Sequence, residues 1–100
     1  MNDLHTWLLQ QHHGLRTFKN FQQRLDSLGA REPQQRGLCA VLDGLVAGYI
    51  DAFDENPLPV ELADRAYGRL LALVASLDLQ ANADRRLADI NRVAAYELLH

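Results

Sequence analysis

Residues 38–53 read LCAVLDGLVAGYIDAF. At about 100° per residue, Leu38, Val41, Leu42, Leu45, Val46, Tyr49 and Phe53 fall on one broad face. That is the i, i+3, i+4 recurrence of a helix and not the alternation of a strand. Ala40, Gly44, Ala47 and Gly48 make a smooth stripe on the other side, and Asp43 is the only charge between Leu38 and Ile50. Glycine inside a helix costs roughly 1 kcal/mol relative to alanine, so Gly44 and Gly48 ask for compensation. Close approach of another backbone supplies it. The stretch therefore predicts a central helix packed on both sides, whose small-residue face meets another helix of the chain or a second copy. Small-x-x-x-small patterns are best attested inside membranes. Here, however, Asp43 and Asp51 interrupt a run already too short for a bilayer span.

Working outward, glycine, proline and polar residues cluster at LGAREP (28–33), DENPLP (54–59) and DLQANAD (78–84). They divide the chain into four segments, and none carries the β-branched alternation of a strand. The expectation is an all-α single domain over residues 1–100. Its form is a small antiparallel four-helix bundle with helices near 2–28, 33–54, 59–77 and 82–99, with room for irregularity because the first is long. In the third segment Leu62, Ala63, Ala66, Tyr67, Leu70, Leu73, Val74 and Leu77 form a core stripe opposite Glu61, Arg65, Arg69 and Ser76. In the fourth the narrower stripe is Ala83, Leu87, Ile90, Ala94 and Leu98. Arg85, Asp89, Arg92 and Tyr96 then lie on the solvated face, spaced for intrahelical ion pairs.

The first segment contains QQHHG at residues 10–14. Leu4, Trp7 and Leu8 share a direction that Leu15, Phe18, Phe21, Leu25 and Leu28 continue with a slow drift of about 20° per seven residues. One continuous helix through Gly14 follows, with Gly14 pointing inward in the row Trp7, Gly14, Phe21, Leu28. Gln11 would then be a buried polar group in need of a partner. His5 and His12 share a flank with Arg16 and Lys19, a basic strip suited to an acidic partner or a phosphate backbone. As metal ligands these histidines are poorly spaced. His5 and His12 stand about 10.5 Å apart along the axis, neighbours His12 and His13 diverge, and the H-E-x-x-H spacing is absent.

Composition sets further bounds. A chain of 100 residues, 48% apolar and 23% charged, is an ordinary small globular domain. Its net charge of −3 weighs against general binding to nucleic acid or anionic membranes. Cys39 is the only cysteine, which excludes an intrachain disulfide and a thiolate metal cage, and its apolar neighbours make it a core residue. The opening MNDLHTWLLQQHHG has no leader-like pattern, so a cytoplasmic protein is expected. The acids Asp51, Asp54 and Glu55 lack calcium-loop spacing. There is no glycine-rich phosphate loop and no nucleophile motif.

The function expected is that of a small cytoplasmic interaction or regulatory protein, adaptor-like, non-enzymatic and homodimeric. No cofactor and no membrane association are expected. Two alternatives remain at this stage. One is a nucleic-acid-binding regulator that uses Arg85, Arg86 and Arg92 on a helix-turn-helix-like pair, or the strip of His5, His12, Arg16 and Lys19. The other is a metal-binding or enzymatic bundle built on the histidines of the first helix.

Overall fold

The computed structural model describes residues 3–54 and 56–98, and those residues form helices and no strand. In chain order the helices are α1 (Asp3–Leu9), α2 (Leu15–Arg31), α3 (Arg36–Phe53), α4 (Val60–Ala75) and α5 (Ala83–Ala94), with a 3₁₀ turn at Pro33–Gln35 before α3. The protein is an all-helical bundle. Its radius of gyration of 13.0 Å is that of a compact chain of this length, about 13 Å.

The central helix forms where the apolar recurrence of residues 38–53 places it. Leu38, Leu42, Val46 and Tyr49 are buried, and α3 packs against α2 on one side and α5 on another. Pro33 opens the 3₁₀ turn that reverses the chain between α2 and α3. Gln35, 1% exposed, donates from Nε2 to the Leu79 carbonyl at 2.6 Å and so ties this turn to the link before α5. In α4 the expected stripe is the observed core face: Ala63, Ala66, Tyr67, Leu70, Leu73 and Val74 are all buried.

The long first helix does not exist. The chain leaves helical geometry after Leu9 and re-enters it at Leu15, with Gly14 in extended conformation (φ −81°, ψ 170°) as the residue before α2. The Thr17 hydroxyl donates to the His12 carbonyl at 2.7 Å, a local side-chain bond that competes with continued helix. α1 then turns away to pack on α4, while α2 packs on α3. The Trp7 and Phe21 rings give a measure of the fold-back. A straight helix would separate them by about 21 Å along its axis, yet they stack with centroids 6.4 Å apart.

The fourth segment also departs from expectation. α5 buries Asp89 and Val93, while Leu87 stands 59% exposed and Ala83 and Ala94 face solvent. The helix ends at Ala94. Beyond it Tyr96 donates to the Arg69 carbonyl at 3.1 Å, Arg69 donates to the Glu97 carbonyl at 3.3 Å, and Leu98 is buried. These bonds draw the chain back onto α4. The expected start at residue 2 and end at residue 99 lie outside the described residues. No helix among the described residues is long and apolar enough to cross a membrane.

Candidate interaction surface

Three groups of residues singled out by sequence have separate places in the fold. The first lies on the link between α1 and α2. Gly14 is exposed, and a Cβ there would meet nothing within 4 Å, so it does not face inward and no helix among the described residues approaches it. Gln11 donates from Nε2 to the Trp7 carbonyl at 3.1 Å and serves the end of α1. Because the helix is broken, His5 and His12 no longer continue into Arg16 and Lys19 on one helical flank. Lys19 pairs with Asp54 at 2.8 Å. His13, which the histidine spacing did not distinguish, makes the long-range contacts. Its Nδ1 lies 2.7 Å from Asp64 Oδ1, and its ring stacks on Tyr67 with centroids 3.9 Å apart. The buried Tyr67 hydroxyl donates to the Leu8 carbonyl at 2.6 Å. Tyr67 therefore joins α4 to the end of α1 and, through His13, to the link. Among the described residues no three His, Cys, Asp or Glu side chains converge on one point. Glu55, one of the three acids after α3, lies outside the described residues.

The second group forms the corner between α4 and α5. Asp89 is 2% exposed at its side chain and accepts from Arg85 Nε at 3.0 Å, Arg92 Nη2 at 2.9 Å and the Asp78 amide at 3.1 Å. Both arginines also donate to the Ser76 carbonyl at the end of α4, at 2.9 and 3.1 Å. Positive charge at a helix C-terminus is favourable. Burial pushes the Asp89 carboxyl up, but the Asp78 amide and the guanidiniums of Arg85 and Arg92 outweigh it and hold the carboxyl below its usual value. The expected ion pairs are therefore present, and Arg85 and Arg92 are exposed as expected, but Asp89 between them is buried. Asp89 points inward because its partners satisfy it there. Arg86 donates to the Ala81 carbonyl at 3.0 Å. The three arginines offered as a nucleic-acid contact are thus all bonded within the corner.

The third group is the small-residue face of α3. Ala40, Gly44 and Gly48 are exposed and Ala47 is half-buried. A Cβ at Gly44 or Gly48 would meet nothing within 4 Å, so no helix among the described residues covers them. At the start of the same helix Gly37 lies against α5, where a Cβ would come within 3.3 Å of Ile90 Cδ1. Leu87 follows the Ile90 stripe one turn earlier and is among the most exposed large apolar side chains described. Cys39, on the buried side, has its thiol pushed up to about 11 by burial and by the negative charges of Glu32 and Asp26. That disfavours the thiolate a nucleophile needs.

Sequence reasoning missed the exposure of Leu87, the burial of Asp89 and the contacts of His13. A signal existed for Asp89 alone: arginines at i−4 and i+3 are placed to neutralise a carboxylate drawn into the core. Compared with known protein families, curated proteins and solved structures, the chain matches none.

Proposed function

We propose that this protein is a non-enzymatic, adaptor-like interaction protein of the cytoplasm that works as a homodimer, with the open face of α3 as the surface on which two copies meet. The observation that carries this reading is the uncovered pair Gly44 and Gly48. Both sit inside a helix, where each costs roughly 1 kcal/mol relative to alanine, and nothing in the described chain lies where their Cβ atoms would be. A second helix packed closely there would offset that cost.

The ends of α3 support the pairing. Gly37 and Asp51 stand at equal distances in sequence from Gly44. Two copies crossing antiparallel at Gly44 therefore direct the exposed Asp51 end of each α3 toward the N-terminal end of the other, beside the place where α5 covers Gly37. Such a contact uses the same patch on both partners, as a two-fold interface must. Leu87, one turn before Ile90 on α5, gives each copy a further exposed apolar side chain. The nucleic-acid alternative ranks lower because Arg85, Arg86 and Arg92 are committed to the α4–α5 corner.

Size-exclusion chromatography with light scattering tests the reading. The wild-type chain is expected at twice the monomer mass, and Gly44→Leu is expected to run as a folded monomer. Leucine faces open space in one copy and is the better helix former. A wild-type monomer at high concentration, or a dimer indifferent to Gly44→Leu and Gly48→Leu, would sink it.

A further inference from the structure

We propose that the cleft between α1 and α2 is a binding site for a small aromatic anion, a planar ring carrying a carboxylate or a phosphate. The cleft encloses about 500 Å³, inside the range of about 300–1,000 Å³ usual for small-ligand sites. It exists because α1 turns off at residues 10–14 to pack on α4, which leaves a gap beside α2. α1 contributes Trp7 to it, and α2 contributes Asn20, Gln23, Arg24 and Arg31. On a helix Asn20, Arg24 and Arg31 follow one another along a single stripe.

Trp7 is half-buried and backed by Phe21, so its position is set by the core. The Arg24 guanidinium carbon lies 4.6 Å from the Trp7 ring centroid. A guanidinium laid on indole is oriented and still presents its N–H fork to an anion. Neither Arg24 nor Arg31 is paired with a carboxylate among the described residues, whereas Lys19, Arg85 and Arg92 are. Two guanidiniums without an ion-pair partner among the described residues, one indole and two carboxamides therefore line one cleft. The ring lies on the outer face of the Arg24 guanidinium, whose inner face rests on Trp7, the anionic group takes the N–H groups of Arg31, and Asn20 and Gln23 both donate and accept at the ring's edge. Asp3 and Glu32 line the same cleft. They cancel the net positive charge, so a bare inorganic anion is not held and the stacked ring becomes a requirement. The site shares no residue with the open face of α3, and neither proposal depends on the other.

Trp7 is the only tryptophan in the chain, so its emission reports on this cleft. The full chain is titrated separately with adenosine monophosphate, benzoate and inorganic phosphate, following Trp7 fluorescence and heat by calorimetry. The expected result is saturable binding of at least one aromatic anion, and the two aromatic arms separate phosphate from carboxylate as the preferred group. Inorganic phosphate alone is expected to do neither. Arg31→Gln is expected to weaken binding by about tenfold, the loss of one charge-assisted hydrogen bond. Arg65→Gln, on α4 outside the cleft, leaves it unchanged. Arg24 and Arg31 are both exposed, so their variants keep the fold, which circular dichroism verifies. The proposal is overturned by no saturable change with either aromatic anion at millimolar concentration. Inorganic phosphate matching them, or Arg24→Gln and Arg31→Gln binding like wild type, overturns it equally.

Discussion

Replacing Asp89 by asparagine tests the account of the α4–α5 corner. The substitution keeps the shape and an acceptor for the Asp78 amide, but removes the charge that Arg85 and Arg92 face at 3.0 and 2.9 Å. The two guanidiniums are 47% and 45% exposed and regain water once released. Each pair is therefore valued near the surface range, up to about 1 kcal/mol, and not at the buried range of about 3–5 kcal/mol. Weakening the bond from the Asp78 amide from charge-assisted to neutral adds about 0.5 kcal/mol. With each pair taken at about 0.75 kcal/mol, the sum is about 2 kcal/mol. With an unfolding entropy of about 2.1 cal/mol/K per residue over 100 residues, this lowers Tm by about 10 °C at pH 7. The assay is thermal unfolding followed by circular dichroism, wild type and variant at one protein concentration. pH gives a second reading of the same quantity. The Asp89 carboxyl titrates below its unfolded value, which is about 3.9. Its contribution is therefore complete above that value and lost as pH falls through the lower, folded one. The Tm difference between the two proteins should hold at neutral pH and close in strong acid. A difference under about 2 °C at pH 7, or one that persists unchanged when both proteins are acidified, would refute the reasoning.

Three other substitutions or treatments have stated outcomes. Gly14→Ser places a side-chain acceptor where α2 has no capping bond, in open space; a gain of a few tenths of a kcal/mol is expected, and a fall of several degrees in Tm would mean that the position is enclosed after all. Tyr67→Phe removes the bond from the buried hydroxyl to the Leu8 carbonyl; the expected loss is about 1 kcal/mol, with amide exchange rising in α1 ahead of the other helices, and equal rises everywhere would contradict a local role. Cys39, with its thiol pushed up to about 11, should resist alkylation by iodoacetamide at pH 8 in the native protein and react fully in denaturant; rapid native labelling would show the thiol to be accessible and acidic.

The legible parts of the fold are those in which a helix buries one uniform stripe. α4 is the plain case: Ala63, Ala66, Tyr67, Leu70, Leu73 and Val74 repeat at helical spacing and are buried together. α5 misled because hydropathy alone ranks Leu87 above Asp89 for burial, whereas two arginines and a backbone amide make the carboxylate the inward group. The first segment misled for a different reason. Stripes on two helices packing against different partners happen to line up on one wheel, and the angular drift of a long helix is the same as that coincidence. Of the candidate interaction residues, Ala40, Gly44 and Gly48 were identifiable from α3 itself, because small residues at helical spacing are a local pattern. The cleft around Trp7 and Arg24 was not, since it depends on where α1 goes after it leaves α2.

That departure of α1 also sets an order of events. α2 and α3 are neighbours along the chain and pack directly, whereas Tyr67, which holds the end of α1 at Leu8, comes 59 residues later in sequence. At synthesis rates of about 5–20 residues per second, that interval lasts roughly 3–12 s. Leu4 and Leu8, both buried in the finished protein, are made well before the α4 residues that help to cover them. The α4 part of the α1 docking surface is thus made long after α1 itself, and its closure carries the entropy of a long intervening chain.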